Sequence, residues 1–155
     1  MRANVKRMKA KRSTLNLLGV GTSRIIQARN KSGPRQELVG LGPRTVPYSA
    51  IEVLADQLHV PATDLCTTTG IPLRTALRRK QRGYFTAEEA DRILRVAGAL
   101  EDAVRVFGDP DKASRWLTTP HPLFSNATPL SLLDCHAGGR AVTDELTRID
   151  FGDLA

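Results

Sequence analysis

The sequence predicts an all-α fold: a helix-turn-helix domain followed by a small helical module. Three observations predict it. From about residue 48 onward, apolar residues recur at spacings of three and four, the stripe of a helix that buries one face. Three helix starts are written in full: Thr86-Ala87-Glu88-Glu89, Asp109-Pro110 and Thr128-Pro129. A short turn at Gly70-Ile71 joins a helical stretch to a second one crowded with cations.

Charge divides the chain. The net charge is +7 over 155 residues, but residues 1–44 carry 11 Lys and Arg against one acid, Glu37. Residues 45–98 are nearly balanced, and residues 99–155 carry 5 basic and 9 acidic residues. A basic front favours a polyanion such as DNA, and an acidic rear favours a different partner. Apolar residues make up 41% of the chain, enough for a core, and aromatics only 5%, which suits helices packed with Leu, Ala and Val. No stretch approaches the roughly 18 apolar residues of a membrane span. The basic opening followed by LNLLGVG mimics a secretion signal, but Asn16 interrupts it and no small-residue cleavage site follows, so the expected location is cytoplasmic. Cys66 and Cys135 are far apart and belong to no CxxC motif, which favours two small buried hydrophobes in a cytosolic protein over a disulfide.

Residues 1–46 read as a basic, mobile N-terminal segment, broken by Gly33-Pro34, Gly40 and Gly42-Pro43. Gly19-Val20-Gly21 lacks the preceding strand and third glycine of a nucleotide loop. Residues 47–106 read as the helix-turn-helix domain. Its first helix spans about 48–58, with Ser49 as cap and Ile51, Leu54, Ala55 and Leu58 inward. Pro61 opens a second helix to about 68, which Thr67-Thr68-Thr69-Gly70 stops. A third runs from Pro72 to Gly83, with Leu73, Ala76 and Leu77 expected inward. Such a helix lying in a major groove needs side chains for base edges near its start and cations for phosphates along its flanks. Arg74 and Thr75 suit the first role, and Arg78, Arg79, Lys80 and Arg82 the second. The same charges also suit a helix face that is merely solvated. The capping box at Thr86 opens the longest helix, about 86–107, with Ala90, Ile93, Leu94, Ala97, Leu100 and Val104 as its buried stripe. No Pro/Gly/Ser linker follows it, so one continuous body is expected.

Residues 107–155 read as three short helices. Ala113, Trp116 and Leu117 share a face of the first. Leu130, Leu132 and Leu133 follow Thr128-Pro129, and Gly138-Gly139 is expected to stop that second helix, with His136 near its end. Val142, Leu146 and Ile149 stripe the third, with Asp144-Glu145 near its start. His59, His121 and His136 are scattered without a second ligand at metal spacing, and Ser125, Asp134 and His136 lack the context of a nucleophile. No catalytic residue, metal site or cofactor is assigned.

The order Val106-Phe107-Gly108-Asp109, Lys112-Ala113, Trp116-Leu117, Pro120, Leu123, Thr128-Pro129-Leu130, Leu132-Leu133, Gly138, Leu146, Arg148-Ile149 and Phe151-Gly152 resembles the toxin-binding domain of Xre/MbcA/ParS-type antitoxins. Gly70-Ile71, Arg74-Thr75, Leu77 and Arg79-Lys80 resemble the Xre-type, Cro/repressor-like helix-turn-helix. The resemblance implies an antitoxin that neutralises a RES-domain, NAD-consuming toxin and represses its own operon by binding operator DNA as a homodimer. It implies that residues 107–155 meet the toxin and that the C-terminal end covers the active site. The residues it points to are Trp116, Leu123, Leu146, Arg148, Ile149, Phe151, Asp153, Leu154 and Ala155. A pyrophosphate pocket is expected to hold arginines, for which Asp153 or the free terminus is a suitable counter-ion. Two other classes compete: a stand-alone repressor with no toxin, and a basic RNA- or ribosome-associated protein that relies on the charge of residues 1–44.

Overall fold

The computed structural model describes residues 46–152, and these are helical with a single isolated bridge, between Pro47 and Tyr84. In order they form α1 (Ser49–Leu58), α2 (Ala62–Thr68), α3 (Leu73–Arg82), α4 (Ala87–Phe107), α5 (Pro110–Thr118), a 3-10 turn (Pro122–Phe124), α6 (Pro129–Leu132) and α7 (His136–Asp150). The all-α expectation holds among the described residues. The mobility expected of residues 1–45 lies outside them. Val46, which the sequence assigns to the basic segment, is fully buried, and its carbonyl accepts from the Phe85 N–H at 2.9 Å.

The axis of the fold is α4. Its capping box is present: the Thr86 hydroxyl accepts from the Glu89 N–H, and the Glu89 carboxylate accepts from the Thr86 N–H at 2.9 Å. At about 100° per residue, its buried residues cover roughly half its circumference. The expected stripe accounts for Ala90, Ile93, Ala97 and Leu100, whereas Leu94 and Val104 are half-buried. Val96, Ala99 and Ala103 extend the buried face. That width is needed because α4 packs on both α5 and α7, and its small alanines let those helices come close.

The two halves share one core. α1 packs on α5, and the Ser114 hydroxyl, buried, donates to the Leu58 carbonyl at 2.9 Å. That bond satisfies a carbonyl at the end of α1 that the helix cannot pair itself. Phe85 is fully buried between α3 and α4 and stacks on Tyr48, ring centroids 5.4 Å apart.

Several starts and stops differ from the sequence reading. α1 begins after Tyr48 with no side-chain cap, so Ser49 is its exposed first residue. Pro61 precedes α2 rather than opening it. Asp109 and Thr128 do cap α5 and α6, with proline at the first helical position in each. The largest difference is Gly138-Gly139, which lies inside α7 and stops nothing. α6 ends at Leu132, and α7 starts at His136 with the Cys135 sulfur accepting from the Gly138 N–H. His136 is therefore at a helix start, and Asp144-Glu145 is mid-helix. These glycines serve close approach. A Cβ on Gly138 would lie 2.0 Å from the Leu132 carbonyl oxygen, and one on Gly139 2.8 Å from Arg95 Cδ. The space over Gly139 lets Arg95 reach across and donate to the Leu133 carbonyl at 2.8 Å.

Candidate functional site

α2 and α3 are joined by a tight turn. Thr69 is buried, and its hydroxyl donates to the carbonyls of Leu65 and Cys66, both at 2.9 Å. Gly70 takes φ +73, a value most side chains resist, and its carbonyl accepts from Arg92 at 2.7 Å. The turn is thus tied to α4, which fixes how α3 stands on the surface.

α3 presents a different face from the expected one. Ala76 and Arg79 are its buried residues, while Leu73 and Leu77 are 47% and 51% exposed. The sequence reading put these leucines inward and Arg79 on the phosphate-facing flank; both placements are corrected. Arg79 lies beneath the helix, where Nε and Nη2 donate to the two Glu89 oxygens at 2.7 and 2.9 Å. A guanidinium fork matches a carboxylate in just this paired way, so the pair satisfies itself with little solvent. Burial pushes the Glu89 carboxyl up, but Arg79 and the Thr86 N–H and hydroxyl outweigh it and hold it below its usual range. The Glu89 hydrogen bond raises Arg79 further. This arginine anchors α3 and is not free for DNA.

The other named cations are on the surface. Arg74, Arg78 and Arg82 are exposed and form no ion pair among the described residues. Lys80 reaches Glu52 at 3.6 Å and lies 5.8 Å from the Tyr48 ring centroid, which ties it to α1. Thr75 is half-buried in a polar depression with Thr86, Glu88 and Arg92. Sequence reasoning missed Glu89 as the partner of Arg79. The signal was available: an acid serving a capping box ten residues after an arginine on the Ala76 side of α3.

At the other end, four rings run in a row. Phe107 and Trp116 have centroids 5.8 Å apart, Trp116 and His121 6.2 Å, and His121 and Phe124 5.8 Å. Trp116 is half-buried in this row, and Leu123 beside it is 57% exposed. The end of α7 is pinned by Arg105, which donates to Asp150 at 2.7 Å. Just beyond, Phe151 is 80% exposed. Arg148 is exposed and donates to Glu145 at 3.0 Å, and Ile149 is half-buried. Leu146 is 1% exposed in the core, so it supports α7 and offers no surface to a partner, a correction to its expected contact role. Asp153, Leu154 and Ala155 lie outside the described residues. Among the described residues no group of three or more His, Cys, Asp or Glu could hold a metal ion, and no helix is long and apolar enough to cross a membrane.

Both halves match known families. Residues 36–98 match the antitoxin Xre-like helix-turn-helix domain, and residues 102–152 match the antitoxin Xre/MbcA/ParS C-terminal toxin-binding domain. An Antitoxin Xre of Yersinia enterocolitica is 36% identical over 103 residues, which is 63% of this chain and 70% of that protein. One of Photorhabdus laumondii is 32% identical over 109 residues, 69% of this chain and 74% of that protein. One of Pseudomonas putida is 40% identical over 83 residues, 53% of this chain and 52% of that protein. The chain belongs to the Xre antitoxin family. As a member it joins a helix-turn-helix DNA-binding domain to the toxin-binding domain of a toxin–antitoxin system. The row of rings, Leu123 and Phe151 all fall within the toxin-binding match.

Proposed function

We propose that this chain neutralises a RES-domain, NAD-consuming toxin by laying its C-terminal region over the toxin's active site, and that it represses its own operon as a homodimer. Phe151 carries the reading: a large aromatic side chain left 80% exposed one residue after a helix whose last turn is clamped by Arg105. A ring presented on a rigid stem is the kind of anchor that dominates protein interfaces, because little freedom is lost when it docks. In this reading residues 107–155 are the toxin-binding unit. Leu123, Trp116, Arg148 and Ile149 flank the contact, and Asp153, Leu154 and Ala155 enter the pocket. Residues 47–106 bind operator DNA through Arg74, Thr75, Arg78, Lys80 and Arg82, and residues 1–44 add positive charge. Two-fold pairing follows from the paired half-sites that repressors of this layout read. The protein does no chemistry itself and acts in the cytoplasm.

The test is to co-purify tagged chain with the product of the neighbouring gene, beside a copy truncated after Phe151. The expected result is a complex with full-length protein whose partner depletes NAD only when the tail is missing. Full neutralisation by the truncated copy would sink the tail-in-pocket reading. Operator binding with no partner at all would favour a stand-alone repressor.

A further inference from the structure

Of the five large apolar side chains that stand exposed among the described residues, three, Leu73, Leu77 and Tyr84, lie on or just after α3. Single exposed leucines need no explanation. These two are a pair at i and i+4, so they form one row along the helix. With about 100° between successive residues, that row runs beside a second i, i+4 row, Arg74 and Arg78. The arginine row faces away from the side buried by Ala76 and Arg79, and the leucine row lies between the arginines and Ala76. The exposed surface of α3 is therefore an apolar rail next to a cationic rail, both starting in the first turn after the Gly70 turn.

Charge decides what can cover it. Residues 73–82 contain Arg74, Arg78, Arg79, Lys80 and Arg82 and no acid. Among the described residues, only Arg79 and Lys80 of these have carboxylate partners, Glu89 and Glu52. A second copy docked two-fold on this face would set Arg74 and Arg78 against their own counterparts with no acid on α3 to relieve them. A polyanion fits the same face without that conflict. In duplex DNA, the apolar feature of the major groove is the thymine 5-methyl group, and the fork-shaped double acceptor is guanine O6/N7.

Resting on the DNA-binding reading, we propose that Leu73 and Leu77 read sequence by packing on thymine 5-methyl groups in the major groove, while Arg74 and Arg78 contact adjacent guanines or phosphates. The leucines are then specificity residues, and the site they read contains thymine next to the arginine contacts.

The probe is the DNA fragment upstream of the gene for this chain. A footprint with full-length protein locates the site, and two duplexes of it are made, one natural and one with every thymine replaced by uracil. Uracil pairs identically and lacks only the methyl. Binding is measured for the wild type, Leu73→Ala/Leu77→Ala and Arg74→Ala/Arg78→Ala, each at several salt concentrations. The wild type should lose about fourfold in affinity per buried methyl on uracil DNA. The leucine variant should bind both duplexes alike, with an unchanged salt slope. The arginine variant should keep the thymine preference and lose salt slope, by about one for each phosphate contact removed. Equal binding of both duplexes by the wild type overturns the proposal while leaving DNA binding intact. A change in oligomeric state of the leucine variant, read by light scattering, also overturns it and makes the row a subunit contact. No footprint at all overturns the DNA-binding reading, and the proposal with it.

Discussion

Three glycines in two helices should respond to the same substitution in different ways. A Cβ on Gly138 meets the Leu132 carbonyl oxygen at 2.0 Å and its carbon at 2.8 Å, whereas a relaxed carbon–oxygen contact is about 3.3 Å. The obstacle is backbone, fixed by α6, and cannot rotate away. Gly138→Ala must therefore push α7 off α6 by about 1 Å or unwind the first turn of α7, a cost of about 1–3 kcal/mol for overpacking. The gain in helix propensity offsets about 1 kcal/mol of it at most. At Gly139 the nearest atoms are the Arg95 side chain, Cδ at 2.8 Å, which can swing aside but would then leave the Leu133 carbonyl. Gly98 has nothing within 4 Å of its would-be Cβ. Gly98→Ala should stabilise by about 0.4–1 kcal/mol, because only the unfolded chain loses freedom. Urea unfolding followed by circular dichroism gives the three values under one protocol. The expected order of stability is Gly98→Ala, then Gly139→Ala, then Gly138→Ala, with wild type between the first two. Stabilisation by Gly138→Ala, or no difference between positions 98 and 138, would refute the close-approach argument.

The Arg79–Glu89 pair should appear as acid sensitivity. Glu89 titrates below its ordinary value in the folded state, so its contribution is complete above the unfolded carboxylate's range, about 4.3, and fades as pH falls through the lower folded value. Glu89→Gln should flatten that part of the stability profile, and Arg79→Ala should weaken DNA binding only as far as it destabilises α3, judged by a melt beside the binding curve. The thiols should separate kinetically. Cys135 is exposed and Cys66 buried, its thiol pushed up to about 11 by burial and then by Glu89, so a thiol reagent at neutral pH should titrate one group promptly and the second only on unfolding. Because the folded thiol holds its proton longer than the unfolded one, stability should fall between about pH 8.5, the free thiol value, and the folded value of about 11. Arg105→Ala should loosen the last turn of α7, seen as faster amide exchange at residues 147–152, while the core keeps its protection.

How far the sequence reached can be argued from particular residues. Local rules settled local structure. The Thr86–Glu89 box and the Asp109-Pro110 and Thr128-Pro129 starts formed as written, because each satisfies backbone groups within one turn and needs nothing from afar. The ordered motifs of residues 106–152 also sufficed to point to the Xre antitoxin family. What failed, besides the Ser49 cap and the Pro61 start, were judgements that turned on a particular distant neighbour. Gly138-Gly139 looked like a stop because glycine usually punctuates, but here it admits the Leu132 carbonyl and Arg95 from other elements. Leu73 and Leu77 looked like core because leucine usually is, and Arg79 looked like surface because arginine usually is. The sequence alone determined the starts of α4, α5 and α6 and which family the chain joins. Only the tertiary structure decided which face of α3 is buried, because α4 brings a carboxylate at Glu89 to one side of that helix and nothing among the described residues to the other.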